Sequence, residues 1–191
     1  MQPNRAWYCD DKCAAEYGRK NWAKGQKIKQ KEHRREKRQY DENDYKRQFG
    51  LTKKAAQRLA VRLDFNHPCI SCGNAKDVQY CGGHYKTAGG HPELALDLRN
   101  IHQQCNRYCN MELSGNLAGN KHSYGYTHGL REAGGQAILD YLNGYHPPKN
   151  YTCQELIAMR KEYNAEIRRV EQGLPPSRDW RALSEAEKEA V

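Results

Sequence analysis

The residues in this sequence whose types and spacing can do chemistry begin with two cysteine pairs. Cys69-Ile70-Ser71-Cys72 is a C-x2-C knuckle, and Cys105-Asn106-Arg107-Tyr108-Cys109 is a C-x3-C pair. Two such pairs, a few tens of residues apart, supply four thiolates at the geometry of a tetrahedral structural zinc. The tight turn of a knuckle sets both sulfurs on one side, and Gly73 directly after Cys72 suits that turn. With four thiolates and no open position, such a zinc holds the fold and does no chemistry. A thioredoxin-like redox role lacks its βαβ context. Cys9 and Cys13 form a third pair, a candidate second zinc site for which His33 or a second subunit would have to supply the remaining ligands. Cys81 and Cys153 stand alone, and Cys153 is expected to be buried in a capped helix.

Between the two pairs, Val78-Gln79-Tyr80-Cys81-Gly82-Gly83-His84-Tyr85 reads as a short strand running into glycines, with His84 at its end. Leu94-Ala95-Leu96-Asp97-Leu98 alternates as a second strand should, and Arg99-Asn100-Ile101-His102 leads into Cys105, where a helix can start. The order strand, loop, strand, helix is the ββα-metal arrangement. Phosphodiester hydrolysis needs a base to activate water and a cation to stabilise the charge that develops on the phosphate. A histidine on one strand and a metal held from the facing helix supply both, and an asparagine can hold the imidazole in orientation as the third member of a triad does.

The elements that must position these groups are unevenly distributed. Only 37% of the 191 residues are hydrophobic and 29% are charged, with mean hydropathy −1.11, which is thin for one large core. The fold class expected is α+β: a small zinc-stapled ββα-metal core flanked by helices, with a basic helical N-terminal arm. Five segments follow: a partial cysteine-pair module at 1–18, the basic arm at 19–50, the zinc-stabilised core at 51–125, a helical region at 126–173 and a charged, peripheral tail at 174–191. Lys27, Lys29, Lys31, Arg34, Arg35, Lys37 and Arg38 lie in the arm, where almost nothing apolar recurs at helical spacing. They are candidates for gripping phosphates, against the plainer reading of a charged linker. Thr52 is a candidate N-cap for a helix burying Ala55, Ala56, Leu59 and Leu63, which Asn66-His67-Pro68 ends. Thr127 could cap another helix, weakened by Gly134-Gly135, and Thr152-Cys153-Gln154-Glu155 is a capping-box pattern. Behind it Leu156, Met159, Tyr163, Ile167 and Val170 form a stripe suited to packing or to a dimer surface.

The formal charge of +9 and isoelectric point near 9.1 favour a polyanionic partner, nucleic acid first. No apolar run is long enough to cross a bilayer, and the N-terminus lacks the apolar stretch of a secretory signal, so a cytoplasmic protein with reduced cysteines is expected.

On these residues a resemblance rests. Asn100, Cys105 and Cys109-Asn110 look like the ending of zinc-containing HNH nucleases. More specifically, Cys69-Ile70-Ser71-Cys72-Gly73, Gly83-His84-Tyr85, Arg99-Asn100-Ile101-His102 and Ser114-Gly115-Asn116-Leu117 resemble the NinG (Rap) recombination endonucleases of lambdoid phages. The resemblance covers roughly half the chain. It implies a phage-encoded endonuclease in the host cytoplasm that cuts branched recombination intermediates, Holliday junctions and D-loops, using magnesium or manganese. His84 would be the general base, Asn100 would orient it, His102 would support it, and Asn110 would be a metal ligand. Resolving a two-fold junction suggests a homodimer. The sequence departs from the family pattern in three places. Cys81 stands three before His84, where members can carry an acidic residue. The second cysteine pair has one residue more than usual. The N-terminal cysteine module is shortened. Asp97 is the nearest carboxylate to replace the missing metal ligand, and Glu112 is another candidate. Two other readings share these residues: a non-catalytic zinc-finger DNA-binding protein, and a sequence-specific HNH nuclease.

Overall fold

The structure, a computed structural model, describes residues 10–75 and 79–189. They fall into two compact units that divide at Asp44. The first is essentially one helix, α1 (Asp11–Asn43), which passes through the boundary expected near residue 18. Asp10 caps it, its carboxylate accepting from the Cys13 amide at 2.7 Å. None of its residues is buried, and Glu16–Lys20 and Arg38–Glu42 pairs, each four residues apart, brace it. Cys9 lies outside the described residues, so the candidate second zinc pair, Cys9 and Cys13, does too.

The second unit is built on a two-stranded antiparallel sheet, β1 (Tyr80–His84) and β2 (Ile101–Cys105). A sheet of two strands is not stable alone, and here helices cover both of its faces. On one face α2 (Tyr45–Leu63) and α4 (Cys153–Glu171) enclose Leu98 and Ile101 with Ala55, Ala56, Leu59, Tyr163 and Ile167. On the other, α3 (Tyr126–Asn143) packs Tyr126, Leu130, Ile138, Leu139 and Leu142 against Tyr85 and Leu94. All five residues of β2 are therefore buried, although three of them are His102, Gln103 and Gln104.

Two glycines let this sandwich close. A Cβ on Gly82 would lie 2.6 Å from the backbone oxygen of Gln57, so α2 rests directly on β1 there. A Cβ on Gly83 would collide with the Gln104 side chain on the opposite face. The glycines expected to lead out of a strand are thus inside it.

Several sequence expectations are corrected. The second strand is not Leu94–Leu98. That stretch forms two 3-10 turns, Pro92–Leu94 and Leu98–Asn100, and its leucines alternate because the turns aim Leu94 and Leu98 into the cores on opposite faces. Thr52 caps nothing: α2 starts at Tyr45, and the buried Thr52 hydroxyl donates toward Gln48 O and Leu156 O at 2.9 and 2.8 Å, tying α2 to α4. The cap of α3 is Gly125 rather than Thr127, and Gly135 (φ 79°) breaks that helix as the glycine pair suggested.

The capping box at Thr152 is present, with Thr152 N–H donating to Glu155 Oε2 at 2.7 Å and Glu155 N–H to Thr152 Oγ1 at 3.2 Å. Of the stripe behind it, Leu156, Tyr163 and Ile167 are buried, the last two in the cluster shared with α2. The tail is not peripheral. Trp180 stacks edge-on to Tyr163 (5.9 Å), Leu183 is buried in the α3 cluster, and α5 (Glu185–Glu189) brings Glu187 to Arg99 at 2.8 Å.

Candidate functional site

The four cysteines come together as their spacing predicts. The Sγ atoms of Cys69, Cys72, Cys105 and Cys109 all lie within 4.8 Å of one another, close to the roughly 3.8 Å edge of a tetrahedral zinc–thiolate site. The knuckle is closed by Gly73 N–H donating to Cys69 O at 2.9 Å with Gly73 at φ 69°. Backbone and side-chain donors already point at the sulfurs: Cys105 N–H at Cys69 Sγ (3.3 Å), Cys109 N–H at Cys105 Sγ (3.4 Å) and the Asn116 amide at Cys109 Sγ (3.4 Å). Burial pushes the Cys72 and Cys109 thiols up, and the negative charge of Cys69 adds to it, so all four could ionise in one dry site only around a cation. The donor set and geometry fit zinc, which would cross-link the knuckle to the end of β2. Among the described residues no other cluster of His, Cys, Asp and Glu could hold a metal.

The extra residue of the C-x3-C pair has a structural answer. Cys105 caps a π-helical turn, Asn106–Glu112, in which Leu113 N–H reaches Tyr108 O at 3.0 Å, five residues back. A π turn takes up one inserted residue while keeping both ends in place, so Cys109 still reaches the other sulfurs. Asn110 follows it, half-buried on the turn. Glu112, exposed, pairs with Arg107 at 2.9 Å.

His84 ends β1 opposite Ile101, on the face that α2 covers. Its Nε2 lies 3.1 Å from the Ala95 carbonyl. A carbonyl only accepts, so Nε2 carries the proton and Nδ1 keeps its lone pair. Burial depresses the His84 pKa, and the positive charge of Lys53 on α2 adds to it, against the Ala95 bond. The ring is therefore held neutral with one basic nitrogen, the state a general base requires.

Asn100 does not touch His84. Fully buried, it accepts from Lys86 N–H at 2.7 Å and donates to Lys86 O (2.9 Å) and Leu94 O (3.0 Å). Its amide ties the start of the loop between the strands, at Lys86, to Leu94, next to the Ala95 carbonyl that bonds His84. What it holds is the loop backbone, and it makes no bond to the imidazole.

His102 is corrected more sharply. It pairs with Gly83, one position from His84, so it points to the opposite face, edge-on to Tyr126 (6.2 Å). Its Nδ1 lies 3.3 Å from Asp64 Oδ2, and burial outweighs that carboxylate to keep the imidazole neutral. Its contacts, with Asp64 and Tyr126, lie behind the sheet from His84. Asp97 is likewise committed elsewhere: its oxygens take bonds from Arg99 Nε (2.9 Å), Arg99 Nη2 (2.8 Å), Arg99 N–H (3.0 Å) and Tyr141 Oη (3.0 Å). Despite burial, these donors hold its pKa below the usual range. A carboxylate so occupied is not a free ligand for a metal at His84, and the residues beside His84 do not by themselves form a magnesium or manganese site.

Sequence reasoning missed Asp64 and Arg181. Asp64 accepts from Gln103 N–H (2.8 Å) and from both terminal nitrogens of Arg181, whose other bonds go to Leu98 O (3.2 Å) and Ile101 O (3.1 Å). Burial raises the Asp64 pKa, but His102 and Arg181 together hold it well below the carboxylate range. One signal was legible: an acidic residue directly after the last turn of α2 opposes the helix dipole and needs a partner elsewhere.

The seven candidate phosphate-gripping residues of the arm all lie exposed on α1. Between residues 19 and 38 the chain carries ten basic residues against two acidic ones, which leaves a net charge of only +1 for the rest of its +9. No described helix is long and apolar enough to cross a membrane.

Comparison with known proteins agrees on one family. The family profile described as "NinG: Bacteriophage Lambda NinG protein" matches residues 2–173. Over 105 residues, 55% of this chain, the sequence is 37% identical to Protein ninG of Salmonella phage P22 and 35% identical to Protein ninG of Escherichia phage lambda, covering 48% of each. Protein ninG of Escherichia phage 933W is 35% identical over the same length, 49% of its chain. The matched part spans about half the length of these relatives. No solved structure matches.

Proposed function

This chain belongs to the NinG family of bacteriophage proteins, and from that footing we propose that it is an endonuclease that hydrolyses phosphodiester bonds in branched DNA, four-way junctions and D-loops, during phage recombination. The observation that carries the reading is His84: a neutral imidazole at a strand end, its Nε2 proton fixed on the Ala95 carbonyl, on a loop clamped by Asn100. Nδ1 takes the proton from a water molecule. The water oxygen attacks phosphorus, and the bond from phosphorus to the leaving oxygen breaks, its electron pair staying on that oxygen, which takes a proton from solvent. The cysteine frame, holding zinc, keeps β2 and the π turn in place. The basic helix α1 grips phosphates without reading sequence. Two chains on a two-fold junction supply the paired cuts. Magnesium or manganese is the divalent ion that the HNH resemblance implies, and no step here is routed through it.

A second reading, a zinc-stapled DNA-binding protein without catalysis, is favoured by one observation: Asp97 is consumed by Arg99 and Tyr141. One experiment separates the two. Purified protein is given four-way, flap, D-loop and linear DNA in magnesium and in manganese. The nuclease reading expects the branched DNAs to be cut, and His84→Ala, folded and zinc-loaded, to cut at least about 100-fold more slowly. Binding without cutting on every substrate establishes the second reading instead.

A further inference from the structure

We propose that the groove between α2 and β1 is a second track for a DNA strand, built from other residues than those of the basic arm and running toward the His84 end of β1. The proposal rests on the reading of the chain as a protein that acts on DNA. Because α2 sits on β1 at Gly82 with no side chain between, the side of the helix next to that contact and the strand beside it form a shallow cleft of ≈ 430 Å³. Lys54, Arg58 and Arg62 line it at four-residue spacing, and no carboxylate does. Successive members of that row are about 6 Å apart along the helix axis, the scale of one nucleotide step along a strand.

Two further features point to a polyanion. Lys54 and Arg58 are exposed, and neither pairs with a carboxylate among the described residues. Arg62 meets only Glu171, in an exposed pair at 2.8 Å that phosphate can replace at little cost. Outside the arm the chain is close to electrically balanced, so an unneutralised basic row there is a local feature and not a bulk one. The row also has a direction. Gln57 lies over Gly82, and Lys53, one turn earlier, acts on His84, so α2 runs against β1 with its basic row starting at the His84 end. A strand laid along the groove would carry its phosphates past Arg58 and Lys54 toward the His84 end of β1.

The test is equilibrium binding of the full chain to a fluorescent four-way junction over a series of salt concentrations, with calcium in place of magnesium. Lys54→Gln/Arg58→Gln is compared with a charge-matched control, Arg131→Gln/Lys161→Gln, and Lys54→Met/Arg58→Met keeps the apolar stems in case the first variant misfolds. The expected result is a salt-dependence slope reduced by about 1.8 in the groove variants, roughly 0.9 for each phosphate no longer neutralised, with the control unchanged. An unchanged slope in folded groove variants, or an equal reduction in the control, overturns the proposal. Because cutting is not measured, a wild-type protein that binds junctions but cuts none would end the nuclease reading without touching this result.

Discussion

Arg181 and Asp64, 117 residues apart in sequence, meet in a two-pronged ion pair at the outer edge of β2. Arg181 also bonds the carbonyls of Leu98 and Ile101, on either side of the Arg99–Asn100 step. The segment that carries it lies beyond residue 173, where the family match ends. This tail therefore braces the turn that carries Asn100 and the start of β2 that follows it.

Removing that brace should be costly. Both side chains are largely shielded from solvent, at 12% for Asp64 and 22% for Arg181, so Arg181→Met leaves a buried carboxylate with only His102 and the Gln103 amide. A loss of about 3 kcal/mol in urea unfolding is expected. In a double-mutant cycle with Asp64→Asn the two losses should be far from additive. Additive losses would show that the pair does not couple.

Asn100 makes three hydrogen bonds in a fully buried setting. Asn100→Ala strands one amide and two carbonyls, at about 1–3 kcal/mol each before relaxation. Asn100→Asp keeps the acceptor for Lys86 N–H but faces two carbonyls with a charge, and it should be at least as destabilising. If the chain cuts four-way junctions as proposed, conditions that keep either variant folded should not restore cutting, since the backbone next to the Ala95 carbonyl is no longer held. A folded variant that cuts normally would end the positioning role of Asn100.

The cysteines divide into two classes that a zinc measurement separates. Cys72→Ser and Cys109→Ser should each lose one equivalent of zinc relative to the unmutated chain, and with it cooperative thermal unfolding. Cys81 is next to the cluster, and burial pushes its thiol up to about 11, but it is not among the four that converge. Cys81→Ser should keep its full zinc content. Loss of zinc in that variant would redraw the ligand set.

His84 and His102 both have pKa values lowered in the fold, chiefly by burial. Below their ordinary value of about 6.5 the unfolded chain takes up protons that the folded one resists, so stability should fall as pH drops through and below that point and be flat above it. Asp64, with its pKa lowered, contributes stability above the ordinary carboxylate range that is lost only at still lower pH. Denaturant unfolding between pH 5 and 8 checks the histidine part, using about the range in which histidine titrates. His102→Gln should flatten the slope. If the slope is unchanged in that variant, His102 is not one of its sources.

By itself the sequence determined the parts whose chemistry is local. Two cysteine pairs define a tetrahedral donor set from spacing alone, Thr152 and Glu155 cap a helix through contacts three residues apart, and the charge of 19–38 needs no fold to be read. Only the tertiary structure decided the rest, because those roles depend on which face a side chain occupies and what stands opposite. The polar run Ile101–Cys105 is a buried strand because partners elsewhere in the chain hold His102, Gln103 and the Gln104 side-chain nitrogen, while the better-alternating Leu94–Leu98 became turns. Strand register placed His102 behind the sheet from His84, and a guanidinium two residues away occupied Asp97. The tail looked dispensable because its anchors, Arg181 and Leu183, are isolated in sequence and acquire partners only where α2, β2 and α3 converge.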